Sequence, residues 1–534
     1  MSLREVPGPP PAGRVAVARF LFEAPDVEPV RGLLLEEADR RELAVDEVGP
    51  DLFVETFLDT RDRRVHRAGT YLVHRDFGAA TEVGWGTLRG VPDPGDPPRF
   101  GTSVALSPAS PRVPEDCPEP LRAALRALAG RHPLRPALEL DVRREELVVK
   151  REGRWLGTVV LTKAVATRRS PVAAVRIARV EMRAAVDPGG GPDPIFDAVR
   201  ERAGLRSVTS TTYEAALLAA AIPRPGRPDV GPLDVHLGIT AGELAFAVLR
   251  RQFREIVRRE PGARLGLDPE ELHKLRVAVR RLRAALRLWR DALGPTAREL
   301  QKEWRRLSRN LGETRDYDVE LASLDDWSEA LDASGRAAFA PVLDWVADRR
   351  EESRARMLAA MDAHSQERLA RATSRWLREG RALPIQGRRP ARRDVARLVT
   401  ERYRALRRAG RRIEADSPHE DLHRVRILAK HLRYCLEFHA EILGPDARAM
   451  VRRLVDLQDL LGEHQDLHVS LDRLRLVGQD APGPVPPGTL AVLERLLEER
   501  RRRALALRAG FPATFDRVRG PAWKRVRSEL GAGA

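Results

Sequence analysis

The chain has 534 residues with 94 Lys and Arg against 78 Asp and Glu, a formal net charge of +16 and a sequence pI of about 10.7. That length exceeds what one core normally fills, about 250–300 residues, so several domains are expected. Both charge signs are plentiful, which excludes a disordered basic tail, and the arginine excess favours an anionic partner: nucleic acid, a phosphate polymer or acidic lipid.

There is no apolar run of 18 residues, and the opening MSLREVPGPPPAG lacks the apolar core of a signal peptide. Cys117 and Cys435 stand far apart and fit no metal or disulfide pattern. A soluble cytoplasmic protein with no membrane partner is the expectation.

In chain order, strand patterns run over 15–22, 52–58, 70–74, 80–88, 139–150, 157–166 and 174–185, with the turn signal VPDPGDPP at 91–98. Helical patterns interrupt at 28–44, 119–130 and 193–203. The first half therefore reads as α+β, rich in antiparallel strands. The Pro/Gly stretch AAAIPRPGRPDVGP (219–232) then leads into long amphipathic helices, which divides the chain into a domain over 1–225 and a second over 233–534.

The helical half repeats itself. His273, Arg276, Arg280 and Arg283 recur as His423, Arg426, Lys430 and Arg433, each 150 positions on, and the same offset relates Leu311-Gly312-Glu313 to Leu461-Gly462-Glu463, Phe253 to Tyr403, Asp316 to Asp466 and Leu343 to Leu493. The copies span about 240–380 and 390–530 around RALPIQGRRP (381–390). Two pseudo-symmetric helical bundles are the natural packing of such a duplication, an all-α domain following the α+β one.

Within the first copy, ELHKLRVAVRRLRAALRLWR (271–290) carries seven Lys and Arg from Lys274 to Arg290 and no acid, where an ordinary surface helix mixes signs so that neighbours pair. At 100° per residue, His273, Arg276, Arg280, Arg283 and Arg287 fall within about 80° of one another. They form one cationic stripe beside an apolar arc of Leu275, Val279, Leu282, Leu286 and Trp289. The second copy repeats the stripe but places Glu437 where Arg287 stood, so that row is shorter. Asp268-Pro269-x-Glu271 and Ser417-Pro418-x-Glu420 read as capping boxes at the two helix starts. Lys302, Arg305, Arg306 and Arg309 share a face of the following helix and can join the stripe. Arg250, Arg251, Arg254 and Arg258 add to it from the first helix, with Arg404, Arg407, Arg408, Arg411 and Arg412 in the twin. A solvated face needs no spacing in register with a repeat, so anion binding is the expected role.

Other motifs carry less. HEDLH (419–423) spells a zinc-peptidase pattern, but its twin has Pro269 in place of His419. His464 and His468 are one turn apart, yet their counterparts are Thr314 and Asp318. No metal site and no cofactor are expected. Glu313, Asp316, Glu463 and Asp466 flank glycines at which the helices are expected to bend or end, and are assigned to capping or to salt bridges with the stripe.

These residues carry a resemblance. LHKLRVAVRRLRAALRLW with LGETRDYDV, and LHRVRILAKHLRYCLEFH with LQDLLGEHQDL, resemble the two halves of a conserved-histidine α-helical (CHAD) domain over about 230–530. The resemblance implies a basic surface that binds inorganic polyphosphate and attachment to polyphosphate granules. It assigns that binding to His273, Arg276, Arg280, Arg283, His423, Arg426, Lys430 and Arg433, to which the stripe geometry adds Arg287, Arg305 and Arg309. Nonspecific nucleic-acid binding is the rival reading of the same charge.

In the first half, TFLDTRDRRVHRAGTYLVHR (56–75), RPALELDVRREELVV (135–149) and LRSVTSTTYEAAL (205–217) resemble segments of the triphosphate tunnel (CYTH) fold. That fold implies an eight-stranded antiparallel barrel whose first strand reads Glu-x-Glu-x-Lys and holds a divalent metal. Here Val15, Val17 and Arg19 occupy those positions, the late acidic strand reads Glu181 then Arg183, and Thr212 stands where a lysine is usual. An inactive barrel is expected, with Arg19, Arg75, Arg143, Arg144 and Arg179 either lining a basic tunnel or lying on the surface; a working metal-dependent triphosphatase is the alternative.

Overall fold

The computed structural model describes residues 16–78, 80–88, 104–105, 119, 121–166, 175–186, 191–222, 228–236, 238–380, 384–477 and 485–532. The chain forms two compact units, Met1–Gly226 and Arg227–Ala534. Val15, the turn signal at 91–98 and Cys117 lie outside the described residues.

The first unit is built on β1 (Ala16–Glu23), β2 (Ala44–Asp59), β3 (Thr70–Asp76), β4 (Thr81–Thr87), β5 (Val104–Ala105), β6 (Arg135–Arg151), β7 (Arg154–Ala166), β8 (Val175–Val186) and β9 (Arg206–Ser207). The helices are α1 (Glu28–Arg40), α2 (Arg64–Arg67), α3 (Leu121–Ala129), α4 (Pro194–Arg202) and α5 (Thr212–Ala219). The strand order is β5-β4-β3-β2-β6-β7-β8-β1-β9, and every pair is antiparallel. Alternation along β6 shows how both faces are used. Leu138, Leu140 and Val142 pack with Tyr213, Ala216 and Leu217 of α5. Leu147 and Val149 point to the opposite face and pack with Val30 and Leu34 of α1 and Ile195, Phe196 and Val199 of α4. The β6–β7 hairpin turns at Glu152 and Gly153, both with positive φ, as a two-residue turn between twisted strands requires.

Two features depart from expectation, the closure of the barrel and the start of β2. Among the described residues the sheet ends at β5 and β9, each only two residues long, and no pairing joins them. The apolar face that closure would bury is instead covered by α5, whose Tyr213 ring stacks on Phe57 at 4.4 Å. β2 also begins eight residues earlier than the alternation at 52–58 indicates, because its first half, AVDEVGPD, is mostly solvent-facing and lacks an apolar signal.

The second unit is helical: α6 (Ala241–Leu265), α7 (Pro269–Leu288), α8 (Arg290–Leu293), α9 (Pro295–Glu329), α10 (Ala333–Asp362), α11 (His364–Glu379), a 3₁₀ turn (Ile385–Arg388), α12 (Ala391–Gly410), α13 (His419–Phe438), α14 (Pro445–Arg475), α15 (Pro487–Asp516) and α16 (Pro521–Ala532). The duplication is visible in three dimensions. Thr240 and Pro390, 150 positions apart, bridge each other: Ala241 N–H donates to Arg389 O at 2.8 Å and Ala391 N–H to Ile239 O at 2.9 Å. Such a reciprocal exchange is what a twofold relation between the copies produces. Each copy has its own core, one around Phe253, Leu282 and Trp304, the other around Tyr403, Leu432 and Phe515. A third cluster joins α9 and α10 to α14 and α15 through Leu324, Phe339, Val342, Leu474 and Leu496. No helix among the described residues is long and apolar enough to cross a membrane.

Candidate anion-binding surface

α7 and α13 present the two stripes. Each buries its apolar arc, Leu272, Leu275, Val279, Leu282 and Leu286 in α7 and Leu422, Val425, Ala429, Leu432 and Leu436 in α13, which leaves the basic residues on the remaining face. The helix starts differ from the predicted capping boxes. Asp268 caps α7 by accepting from Glu270 N–H at 2.8 Å, while Glu271 pairs with Arg259 of α6 at 2.5 Å. Ser417 Oγ accepts from Glu414 N–H at 2.8 Å, closing a turn ahead of α13, whose N-cap Pro418 has no side-chain bond.

The stripes meet across the pseudo-twofold axis. Arg280 Nε donates to the Tyr434 hydroxyl at 2.8 Å. Lys430 lies in the field of Arg276, Arg280, Arg287 and Arg426, and burial together with those four cations pushes its ammonium down to about 7. His273 and His423 are half-buried; burial, and then the neighbouring arginines, hold both imidazoles below their ordinary value. At neutral pH both are therefore hydrogen-bonding groups more than charges.

One end of the joint row is compensated and the other is open. Arg276 pairs with Asp316 at 3.3 Å, and Asp466 lies close to Arg426, Arg276 and Asp316. Burial raises both aspartates, although the arginines oppose the shift. Arg280, Arg283, Arg287, Arg305, Arg309, Arg426 and Lys430, by contrast, form no ion pair with a carboxylate among the described residues. Arg283 donates to Ser308 Oγ of α9 at 2.9 Å and lies in the field of Arg287, Arg305 and Arg309, the last three solvent-exposed. Arg433 is different: it lies 3.6 Å from Glu437, which also takes Arg281.

Several of the added cations serve the fold instead. Arg250 is buried and donates to Leu377 O at 2.7 Å and Pro232 O at 3.0 Å, satisfying main-chain carbonyls. Arg251 donates to Leu233 O and pairs with Glu441. Arg404, Arg407 and Arg408 are exposed. Glu313 pairs with Arg356 at 2.6 Å and its twin Glu463 with Arg503 at 2.7 Å, and α9 and α14 run through Gly312 and Gly462 without a bend or an end. Tyr434, Arg402 and His431, absent from the stripe pattern, also border this region. His468 stacks on His419 at 4.5 Å and lies tilted against His464 at 4.6 Å, but the described residues contain no group of three or more metal-ligating side chains placed to hold an ion.

In the first unit, the expected basic interior is an ion-paired face. Glu181 accepts from both Arg19 and Arg183, Glu55 pairs with Arg75 at 2.9 Å, Glu23 with Arg179 at 3.1 Å and Glu146 with Arg144 at 3.7 Å. Arg143 points to the opposite face from Arg144, as strand alternation dictates. The carboxylates that would chelate a divalent ion are thus taken up by guanidinium groups, and Val17 offers no donor. These residues do not fit a metal.

Residues 247–475 match the model of the CHAD domain, so the helical unit contains a CHAD domain. No curated protein matches the chain. Solved structures similar to it include the CHAD domain from the plant Ricinus communis, with 28% identity over 57% of this chain and 96% of that one at a TM-score of 0.43. PptA from Streptomyces chartreusis has 20% identity over 52% and 99% at 0.44. A candidate adenylate cyclase from Bacillus halodurans has 13% identity over 37% and 95% at 0.22.

Proposed function

We propose that the helical unit binds inorganic polyphosphate along the row of cations contributed by α7, α9 and α13, and that it attaches to polyphosphate granules through that row. The observation that carries the reading is the open end of the row, where Arg280, Arg283, Arg287, Arg305, Arg309 and Lys430 lie together with no carboxylate paired to any of them among the described residues. A flexible chain with a charge on every phosphate and no base edges is engaged by guanidinium forks and counterion release, with no sequence to read. Membership of the CHAD domain, a family linked to polyphosphate, points the same way. Nucleic acid is the weaker fit, since single strands require exposed aromatics on which bases stack and Tyr434 beside the row is only 3% exposed.

The test is equilibrium binding of long-chain polyphosphate to the full chain and to Arg283→Glu/Arg305→Glu/Arg309→Glu, with DNA as competitor. Affinity is expected to fall at least about a hundredfold at 0.1 M salt and the salt slope by about two or more. Unchanged affinity and slope, or displacement of polyphosphate by DNA, would overturn the reading. The sheet unit we infer to be non-catalytic, because its carboxylates are held in ion pairs. Metal-dependent phosphate release from inorganic triphosphate, lost on Glu181→Gln, would refute that.

A further inference from the structure

The two copies have diverged chemically where α7 packs against α13. On one side of the pseudo-twofold axis Arg281 of the first copy pairs with Glu437 of the second and lies over the rings of Tyr434 and Phe438 at 5.4 and 5.2 Å. The twofold-related position exchanges every one of these features. Arg281 becomes His431, Glu437 becomes Arg287, Tyr434 becomes Ala284, and Gln252 of α6 becomes Arg402 of α12. Because Ala284 stands where the twin has a tyrosine ring, the space is not filled: a cavity of about 190 Å³ opens between α7, α12 and α13, bordered by Ala284, Arg287, Arg402, His431 and Tyr434. With a water occupying about 30 Å³, that volume suffices for a phosphoryl group.

The charge changes in the same direction as the shape. On the filled side an internal carboxylate answers the guanidinium. On the open side neither guanidinium pairs with a carboxylate among the described residues: Arg287 donates to His431 Nε2 at 2.7 Å, and Arg402 donates to Leu398 O of its own helix at 2.9 Å. Two guanidinium groups thus border one cavity, each in the other's field, with donors to spare.

We propose that this pocket is a second anion site, distinct in geometry from the open row, which takes a single phosphoryl group between Arg287 and Arg402. The proposal builds on the polyphosphate reading, because Arg287 also ends the α7 stripe: a chain lying along the row can deliver its terminal phosphate into the pocket. A free phosphate or pyrophosphate ion presents the same chemistry.

The experiment measures binding of inorganic pyrophosphate to the full chain by calorimetry, beside long-chain polyphosphate with free ends and with chemically blocked ends. Wild type is expected to bind one pyrophosphate per chain. Arg402→Gln and Arg287→Glu, each installing the twin's residue at a site outside the cores, are expected to weaken it about tenfold or more, the worth of one charge-assisted bond, with unchanged melting temperatures. Free-ended chains binding more tightly than blocked ones in wild type, and equally in Arg402→Gln, assign the pocket to the chain terminus; indifference to blocking with pyrophosphate still bound assigns it to the free ion. Absence of pyrophosphate binding, or binding that neither substitution alters, overturns the pocket. If long chains bind normally in that case, only the pocket fails; if they too do not bind, the row itself is wrong.

Discussion

The guanidinium of Arg276 lies against α9 at Gly312, its Nε 3.6 Å from where a β-carbon on that glycine would sit. Arg426 lies against Gly462 of α14 in the same manner, at 3.7 Å. The repeated Leu-Gly-Glu is therefore a seat for the arginine of the facing helix, and the glycine serves close approach within an uninterrupted helix. A methyl group at 3.6 Å makes an ordinary contact, whereas a larger side chain occupies the guanidinium's place. Gly312→Ala is expected to raise stability by about 0.5–1 kcal/mol through helix propensity and to keep polyphosphate affinity. Gly312→Leu is expected to displace Arg276 from Asp316 and weaken binding about tenfold, the worth of roughly one charge-assisted contact. Denaturant melts and binding isotherms of the two variants separate these outcomes.

Lys430 makes binding depend on pH. Its folded value lies near 7, far below an unfolded lysine at about 10.4, so between those limits the unfolded chain holds more protons and stability rises with pH. A polyanion reverses the local field and raises the folded value. Binding between about pH 7 and 9 should therefore take up a proton, and affinity should fall as pH rises through that window. Calorimetry in buffers of different ionisation enthalpy reads the uptake directly. Lys430→Arg, which stays charged throughout, should abolish both the uptake and the pH slope.

The stripes were legible because two signals coincided: a 3.6-residue spacing that put His273 through Arg287 on one face, and a repeat that reproduced it. What spacing cannot convey is which element lies opposite. Arg250 obeys the same periodicity, yet α6 buries it against the Leu377 and Pro232 carbonyls, and Arg433 belongs to the row by register while Glu437, one turn on, draws its charge. The Arg402 pocket was invisible for a related reason. It depends on what Ala284 lacks relative to Tyr434, a comparison with meaning only once α7 and α13 are known to pack together. In the sheet unit the missing acids at the first strand were plain from the sequence, but Arg75, Arg179 and Arg19, the cross-strand partners of Glu55, Glu23 and Glu181, emerge only from register.

Glu181 should make the sheet unit sensitive to acid. Burial alone would raise its carboxyl, but Arg19 and Arg183 hold it below the ordinary value. A depressed folded value contributes stability that is complete above the unfolded value of about 4.3 and lost as pH falls through the folded one. Glu181→Gln is expected to cost about 1–2 kcal/mol at pH 7 by leaving two guanidinium groups unanswered. The gap to wild type should narrow below about pH 4, as the wild-type carboxylate protonates. Urea melts of both proteins from pH 3 to 7 provide the comparison.

The two copies are also tied by a buried ion pair with no counterpart at its twofold mate. Arg500 of α15 reaches Glu320 of α9 at 2.5 Å, and Glu320 also accepts from Ser470 Oγ at 2.7 Å. Its mate Arg350 turns instead to Asp318 within its own copy, at 2.9 Å, because the position related to Glu320 is Ser470. Both members of the crossing pair are under a tenth exposed, so removing Arg500 leaves Glu320 desolvated with only Ser470 and, at 3.8 Å, Arg473 to answer it. Arg500→Ala is expected to cost about 3–5 kcal/mol, whereas Arg500→Met with Glu320→Gln, which removes both charges, should recover most of that loss. The double variant tests whether the pair holds the copies together by its charge or only fills space between α9 and α15. If the single and double variants melt alike, packing is what matters; recovery in the double variant identifies the uncompensated carboxylate as the cause.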